Sequence, residues 1–172
     1  MSNFFLTKRR QALKLGVGAG IGAAALIAAL PYRTRPAAAE GTFRVTHTDA
    51  EWKKLLTPPQ YAVLRRSGTE RPYSSPLNEE HRQGTFACAG CQLALFSSAT
   101  KFDSRTGWPS FWAPLANAVG TETDTTLGMT RTSVHCAQCG GHLGHVFDDG
   151  PKPTGLRYCM NGVAMAFVVG SA

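Results

Sequence analysis

The sequence predicts a mainly β domain with short helices at its start, and three observations carry that reading. Downstream of Gly84, brief apolar and β-branched runs alternate with turn residues. Upstream of it, two segments have helix-forming patterns that begin at a capping residue or a proline pair. Two Cys-x-x-Cys pairs, at 88–91 and 136–139, then offer a way to pin such strands together.

Taken in order, Asp49–Leu56 reads as a helix capped by Asp49 and stopped before Pro58-Pro59. Gln60–Arg66, with apolar Tyr61, Val63 and Leu64, reads as a second helix starting from the proline pair. Arg71–Leu77 holds Pro72, Ser74, Ser75 and Pro76 and reads as irregular. The predicted strands are Thr85–Ala87, Leu93–Phe96, Thr130–Val134, His145–Phe147 and one long run, Tyr158–Val169.

The formal charge of +7 would by itself suggest an anionic partner. Its distribution says otherwise. Residues 1–39 hold six bases (Lys8, Arg9, Arg10, Lys14, Arg33, Arg35) and no acid, and the rest balances to +1. That near-neutrality argues against nucleic acid, which needs a concentrated basic face. Residues 1–39 read as a leader: a basic start with paired arginines, an uncharged Leu15–Tyr32 run, and Pro36-Ala37-Ala38-Ala39 as a small-residue cleavage site. It resembles a twin-arginine signal peptide, which implies the twin-arginine translocation machinery as a partner and a bacterial periplasmic location. An uncleaved leader anchoring the protein in the membrane is the alternative. Residues 40–172 are then one mature domain.

Five cysteines follow the leader. Cys88, Cys91, Cys136 and Cys139 have the spacing of two metal-binding turns, and four thiolates suit one structural Zn²⁺ with no open position. Two disulfides, or a redox-active pair, use the same residues. Cys159 is left over. In Arg157-Tyr158-Cys159-Met160-Asn161 an extended backbone puts Arg157, Cys159 and Asn161 on one face. The guanidinium there favours the nucleophilic thiolate. His142 and His145 offer proton-transfer groups, although they also fit surface or ligand roles. Gly107-Trp108-Pro109-Ser110-Phe111-Trp112 concentrates aromatic residues in a turn, as core or as pocket wall.

Seven motifs occur in register: Cys88-x-x-Cys91, Lys101-Phe102-Asp103-Ser104, Gly107-Trp108-Pro109-Ser110-Phe111, Cys136-x-x-Cys139, His142-Leu143-Gly144-His145-Val146-Phe147, Asp149-Gly150-Pro151 and Arg157-Tyr158-Cys159-x-Asn161. Together they resemble the methionine-R-sulfoxide reductases of the MsrB type, over roughly Thr46 to Val168. The resemblance implies two antiparallel sheets, the β-tent arrangement, pinned by a four-cysteine zinc site. It implies reduction of the R epimer of methionine sulfoxide in oxidised proteins, with Cys159 as nucleophile passing through a sulfenic acid. His145 and His142 would act as acids or hold water, Asn161 would orient the sulfoxide oxygen, and Arg157 would tune the thiol. Trp108, with Phe147, would line the substrate site. Many such enzymes carry a resolving cysteine just before Gly-Trp-Pro, where this chain has Thr106, and glycine is common where it has Arg105. A one-cysteine enzyme follows, regenerated by a thioredoxin-like reductant or a small thiol. A monomer is the expected state.

Overall fold

The computed structural model describes residues 43–170, and the leader read at 1–39 lies outside them. Two short helices come first, α1 (Asp49–Leu55) and α2 (Pro58–Arg66). Each begins with a capping box: Thr48 with Glu51, and Thr57 with Gln60. The cap of α1 is therefore Thr48 rather than Asp49. A threonine with glutamate three residues on satisfies two orphan N–H groups at once, and Asp49 instead faces Lys53 and Arg66. The proline pair occupies the first turn of α2, where no N–H is needed. The segment read as irregular contains one 3₁₀ turn at its end, Pro76–Glu79.

Nine strands follow: β1 (Gly84–Cys88), β2 (Ala94–Ser97), β3 (Lys101–Phe102), β4 (Ser110–Phe111), β5 (Val119–Asp124), β6 (Arg131–Cys136), β7 (His142–Phe147), β8 (Arg157–Met160) and β9 (Met165–Val169). They form two antiparallel sheets, β2-β1-β9 and β3-β4-β8-β7-β6-β5. The long run Tyr158–Val169 is two strands in different sheets, not one. Its break has a local cause. The Asn161 N–H and side chain both turn to the Leu143 carbonyl, and the N–H groups of Gly162 and Val163 go to the Glu70 carboxylate. The 3₁₀ turn Gly162–Ala164 then carries the chain from the large sheet to the small one.

Register assigns each side chain of the large sheet to a face, because directly opposed residues share one. Phe111, Tyr158 and Val146 lie in one row, and Met160, Gly144 and Val134 in another. Phe111, Met160 and Val134 are fully buried, and with Phe86, Leu95 and Phe96 from the small sheet they form the core. The opposite face carries a polar row, Ser110, Cys159, His145 and Ser133. No helix among the described residues is long and apolar enough to cross a membrane.

Candidate active site

Cys159 is half-buried in the middle of β8, opposite Ser110 on one side and His145 on the other. A regular strand would send His142 and His145 to opposite faces, since three residues separate them. Here the β6–β7 register pairs Val134 with Gly144 but His135 with His142, so Leu143 is an extra residue. That bulge brings both imidazoles together, with ring centroids 5.4 Å apart.

The two rings differ in setting. His142 is buried; its Nδ1 lies 3.1 Å from Ser133 Oγ, and its Nε2 has no partner among the described residues. Burial, then the neighbouring His145, pushes the His142 imidazole down to about 4, so it is neutral near pH 7. His145 Nε2 lies 2.8 Å from Asp124 Oδ2. Asp124 also accepts from the Thr126 hydroxyl and N–H and from Arg131, and these partners, Thr126 first, hold it well below the usual carboxylate range. An ionised carboxylate can only accept, so His145 donates its Nε2–H and Nδ1 is left for other work.

Arg157 makes a bidentate pair with Asp149, both bonds 2.8 Å, and its guanidinium carbon lies 4.4 Å from the centre of the Phe147 ring. Asp149 first, and the Cys159 sulfur to a lesser degree, favour the charged guanidinium. Thus Arg157 and Cys159 lie on the polar face of β8, with Phe147 as the register partner of Arg157 on β7. Asn161 falls just beyond β8 and is 3% exposed. Its Oδ1 accepts from the Glu70 N–H at 2.9 Å and its Nδ2 donates to Leu143 O at 3.0 Å, which leaves one Nδ2–H. Trp108 is half-exposed, with Nε1 donating to the Glu70 carbonyl at 3.2 Å. The turn before it brings Thr106 Oγ1 to 3.7 Å from Cys159 Sγ. Arg105 has φ +58°, the left-handed backbone that explains why glycine is common there.

Glu70 and Asp124 escaped the sequence reading. Glu70 bonds Asn161 through its N–H, Trp108 through its carbonyl and the 162–163 turn through its carboxylate. A Glu between Gly-Thr and Arg-Pro gives no sign of that. Asp124 ends β5, a mostly exposed strand whose only signal was the β-branched Val119, Thr121 and Thr123. A cavity of about 540 Å³ between α2 and the 162–163 turn, lined in part by Val63, Leu77, Val163 and Met165, lies behind Glu70 and excludes Cys159.

The other four cysteines form a separate cluster. Their sulfurs lie within 4.8 Å of one another, with Cys88–Cys139 at 3.7 Å and Cys91–Cys136 at 3.5 Å. These distances are far beyond a disulfide bond of ~2.05 Å and suit the corners of one metal shell. Hydrogen bonds to the neighbouring sulfurs push the Cys88 thiol well up and hold Cys136 down. In the first turn the Gly90 N–H approaches Cys88 Sγ at 3.4 Å, the access a small residue permits.

The SelR domain family matches residues 56–169. A peptide methionine sulfoxide reductase MsrB of Pseudomonas putida (strain W619) is 55% identical over 125 residues, covering 72% of this chain and 94% of that protein. One from Agrobacterium fabrum is 53% identical over 125 residues, covering 72% and 93%. One from Leifsonia xyli is 52% identical over 132 residues, covering 76% and 95%.

Proposed function

Since the chain belongs to the SelR-domain family of MsrB proteins, we propose that it reduces the R epimer of methionine sulfoxide in oxidised proteins, with Cys159 as nucleophile. The observation that carries this reading is the polar row across the large sheet, which sets the half-buried Cys159 beside His145 and the Asp124 carboxylate. The Cys159 thiolate attacks the sulfoxide sulfur, and the oxygen takes up a proton as its bond to that sulfur weakens. Oxygen passes to Cys159 as a sulfenic acid and methionine leaves. Two reductant thiols then restore the Cys159 thiol, giving one disulfide and one water.

His145 is suited to supply that proton. With Nε2–H given to Asp124, a protonated ring presents Nδ1–H to the site. His142 is neutral near pH 7 and has a buried, unpartnered Nε2, so it holds a water or the oxygen rather than serving as the acid. Asn161 braces β8 and the Glu70 turn and keeps one Nδ2–H for the oxygen. Arg157 keeps positive charge next to the sulfur, and Trp108, fixed through Nε1, forms with Phe147 the apolar wall that accepts the methyl group of one epimer.

Thr106 in contact with Cys159 supports the one-cysteine cycle, in which a thioredoxin-like partner or small thiol reduces the sulfenic acid directly. We assign Zn²⁺ to the four-cysteine cluster: sulfurs ~2.3 Å from one ion would be ~3.8 Å apart, close to the spacing of the nearest pairs here. The leader reading remains the proposal for location, a periplasmic protein exported by the twin-arginine machinery.

Both epimers assayed with dithiothreitol test the central claim. Turnover of R alone, lost in Cys159→Ser with metal retained, is expected. Turnover of S at the same rate, or activity surviving the substitution, contradicts it. Substrate without reductant should leave a dimedone-reactive sulfenate at Cys159; an internal disulfide there would overturn the one-cysteine cycle.

A further inference from the structure

We propose that Thr106, Ser104 and Ser110 form a reversible hydroxyl chain ending on the Cys159 sulfur, accepting from the thiol in one direction and donating to the thiolate in the other. Thr106 Oγ1 is 3.7 Å from Cys159 Sγ, Ser104 Oγ is 2.8 Å from Thr106 Oγ1, and Ser104 Oγ is 2.7 Å from Ser110 Oγ. At the far end the Ser110 hydroxyl is 3.1 Å from the Trp108 carbonyl, to which it can donate. The proposal rests on Cys159 being the nucleophile.

Counting protons gives two arrangements, because each hydroxyl has one to give. In the first, the Cys159 S–H donates to Thr106, Thr106 to Ser104, Ser104 to Ser110, and Ser110 to the Trp108 carbonyl. Every proton in the line has an acceptor. In the second, Ser110 swings to Ser104, Ser104 donates to Thr106, and Thr106 donates to the sulfur anion. Three hydroxyl rotations exchange them, with no heavy atom moving.

The fold holds this line still. Ser110 and Cys159 are register partners on β4 and β8, and Ser110 is fully buried, so water does not replace its bonds. The turn carrying Ser104 and Thr106 is pinned from outside: Tyr73 N–H and Asn78 Nδ2 both donate to the Gly107 carbonyl, and the Tyr73 hydroxyl donates to the Arg105 carbonyl. The chain reorients and does not conduct. The Trp108 carbonyl passes no proton onward, so the thiol proton leaves on the open side of the sheet. Thr106 thus touches the reacting atom as a catalytic residue, and Ser104 and Ser110 are positioning residues.

The proton count makes the two ends behave oppositely. Thr106→Val removes the donor to the anion, a charge-assisted bond. Iodoacetamide labelling of Cys159 at pH 7, followed by mass spectrometry on the zinc-loaded protein, should slow about tenfold, and Thr106→Ser should restore it. Ser110→Ala costs the thiol arrangement two bonds, Ser104 to Ser110 and Ser110 to Trp108, but the thiolate arrangement only one. Labelling should therefore speed up about threefold. Unchanged labelling in Thr106→Val, or slowing in both variants, overturns the proposal. If Thr106→Val does not fold, the sign in Ser110→Ala still decides. Labelling needs no turnover, so the chain fails separately from the sulfoxide reductase reading, which the epimer assay tests.

Discussion

His142 sits three residues beyond the last cluster cysteine and is among the most buried polar side chains of the site. Its neutrality is bought by stability at low pH. In the unfolded chain its imidazole takes a proton near 6.5, whereas in the fold burial delays that to about 4. Between those values the unfolded state binds more protons, so stability drops as pH falls through this window and the contribution is gone below it. By pH 5 the loss is about 2 kcal/mol, from ~1.4 kcal/mol per tenfold change in proton binding. Urea unfolding at pH 7.5 and pH 5, at constant zinc, should therefore show a smaller drop in His142→Gln by about that amount. Equal drops would mean that His142 is not held neutral. At this scale residue type was legible but partnership was not. Cys159, His142 and His145 declare their chemistry by what they are, whereas Asp124 lies 21 residues from the ring it orients and Glu70 lies 91 from Asn161.

At the scale of elements, the two cysteine turns are built alike. The Cys88 N–H bonds to the Leu93 carbonyl and the Gln92 N–H returns to Cys88; likewise the Cys136 N–H bonds to Gly141 and the Gly140 N–H returns to Cys136. The fifth residue of each turn is left-handed, Gln92 at φ +62° and Gly140 at +67°. Glycine suits that backbone and glutamine does not. Gln92→Gly should stabilise the protein by about 0.5–1 kcal/mol, the relief of strain exceeding the added freedom of the unfolded chain. Gly140→Ala should destabilise, because a Cβ there also meets the Phe43 ring. Thermal melts of the metal-loaded variants check both signs, and a Gln92→Gly protein that melts lower would refute the equivalence of the turns. The spacing of these turns was visible in the chain, as were α1, α2 and the apolar strands. Strands β3 and β4, two residues each, were too short for a period to show, and β5 alternates almost no apolar residues. The division of Tyr158–Val169 did leave a mark, the turn-forming Asn161-Gly162 inside an otherwise apolar run, but the long-range bonds to Leu143 and Glu70 that end β8 there were not legible.

Across the whole molecule, the four-cysteine cluster does what no single sheet can. Cys88 ends β1 in the small sheet and Cys136 ends β6 in the large one, so an ion held by the cluster would tie the two sheets together. The helices close over the same place. Arg65 on α2 donates to the Cys139 carbonyl at 3.0 Å and stacks on Trp52 of α1, Leu64 packs at Gly141, and the Val45 N–H reaches the Gln138 carbonyl. Elsewhere the sheets are joined by the core between them and by two short turns, 98–100 between β2 and β3 and 162–164 between β8 and β9. The face that carries Cys159, by contrast, draws no side chain from the cluster; of the four cysteines Cys136 alone lies in a strand of the large sheet, and none bonds Cys159 among the described residues. Metal removal should therefore act on the site only by unfolding what carries it. With structural zinc contributing on the order of ~10 kcal/mol in small domains, more than most domains have in reserve, a chelator should unfold the chain as a unit. Far-UV circular dichroism, Trp fluorescence and reductase activity should then fall together as zinc is withdrawn, and Cys91→Ser should behave as a partly stripped protein. Activity lost while the fold persists would place the metal in the chemistry, and activity retained in a fully stripped, folded protein would deny the cluster its structural role.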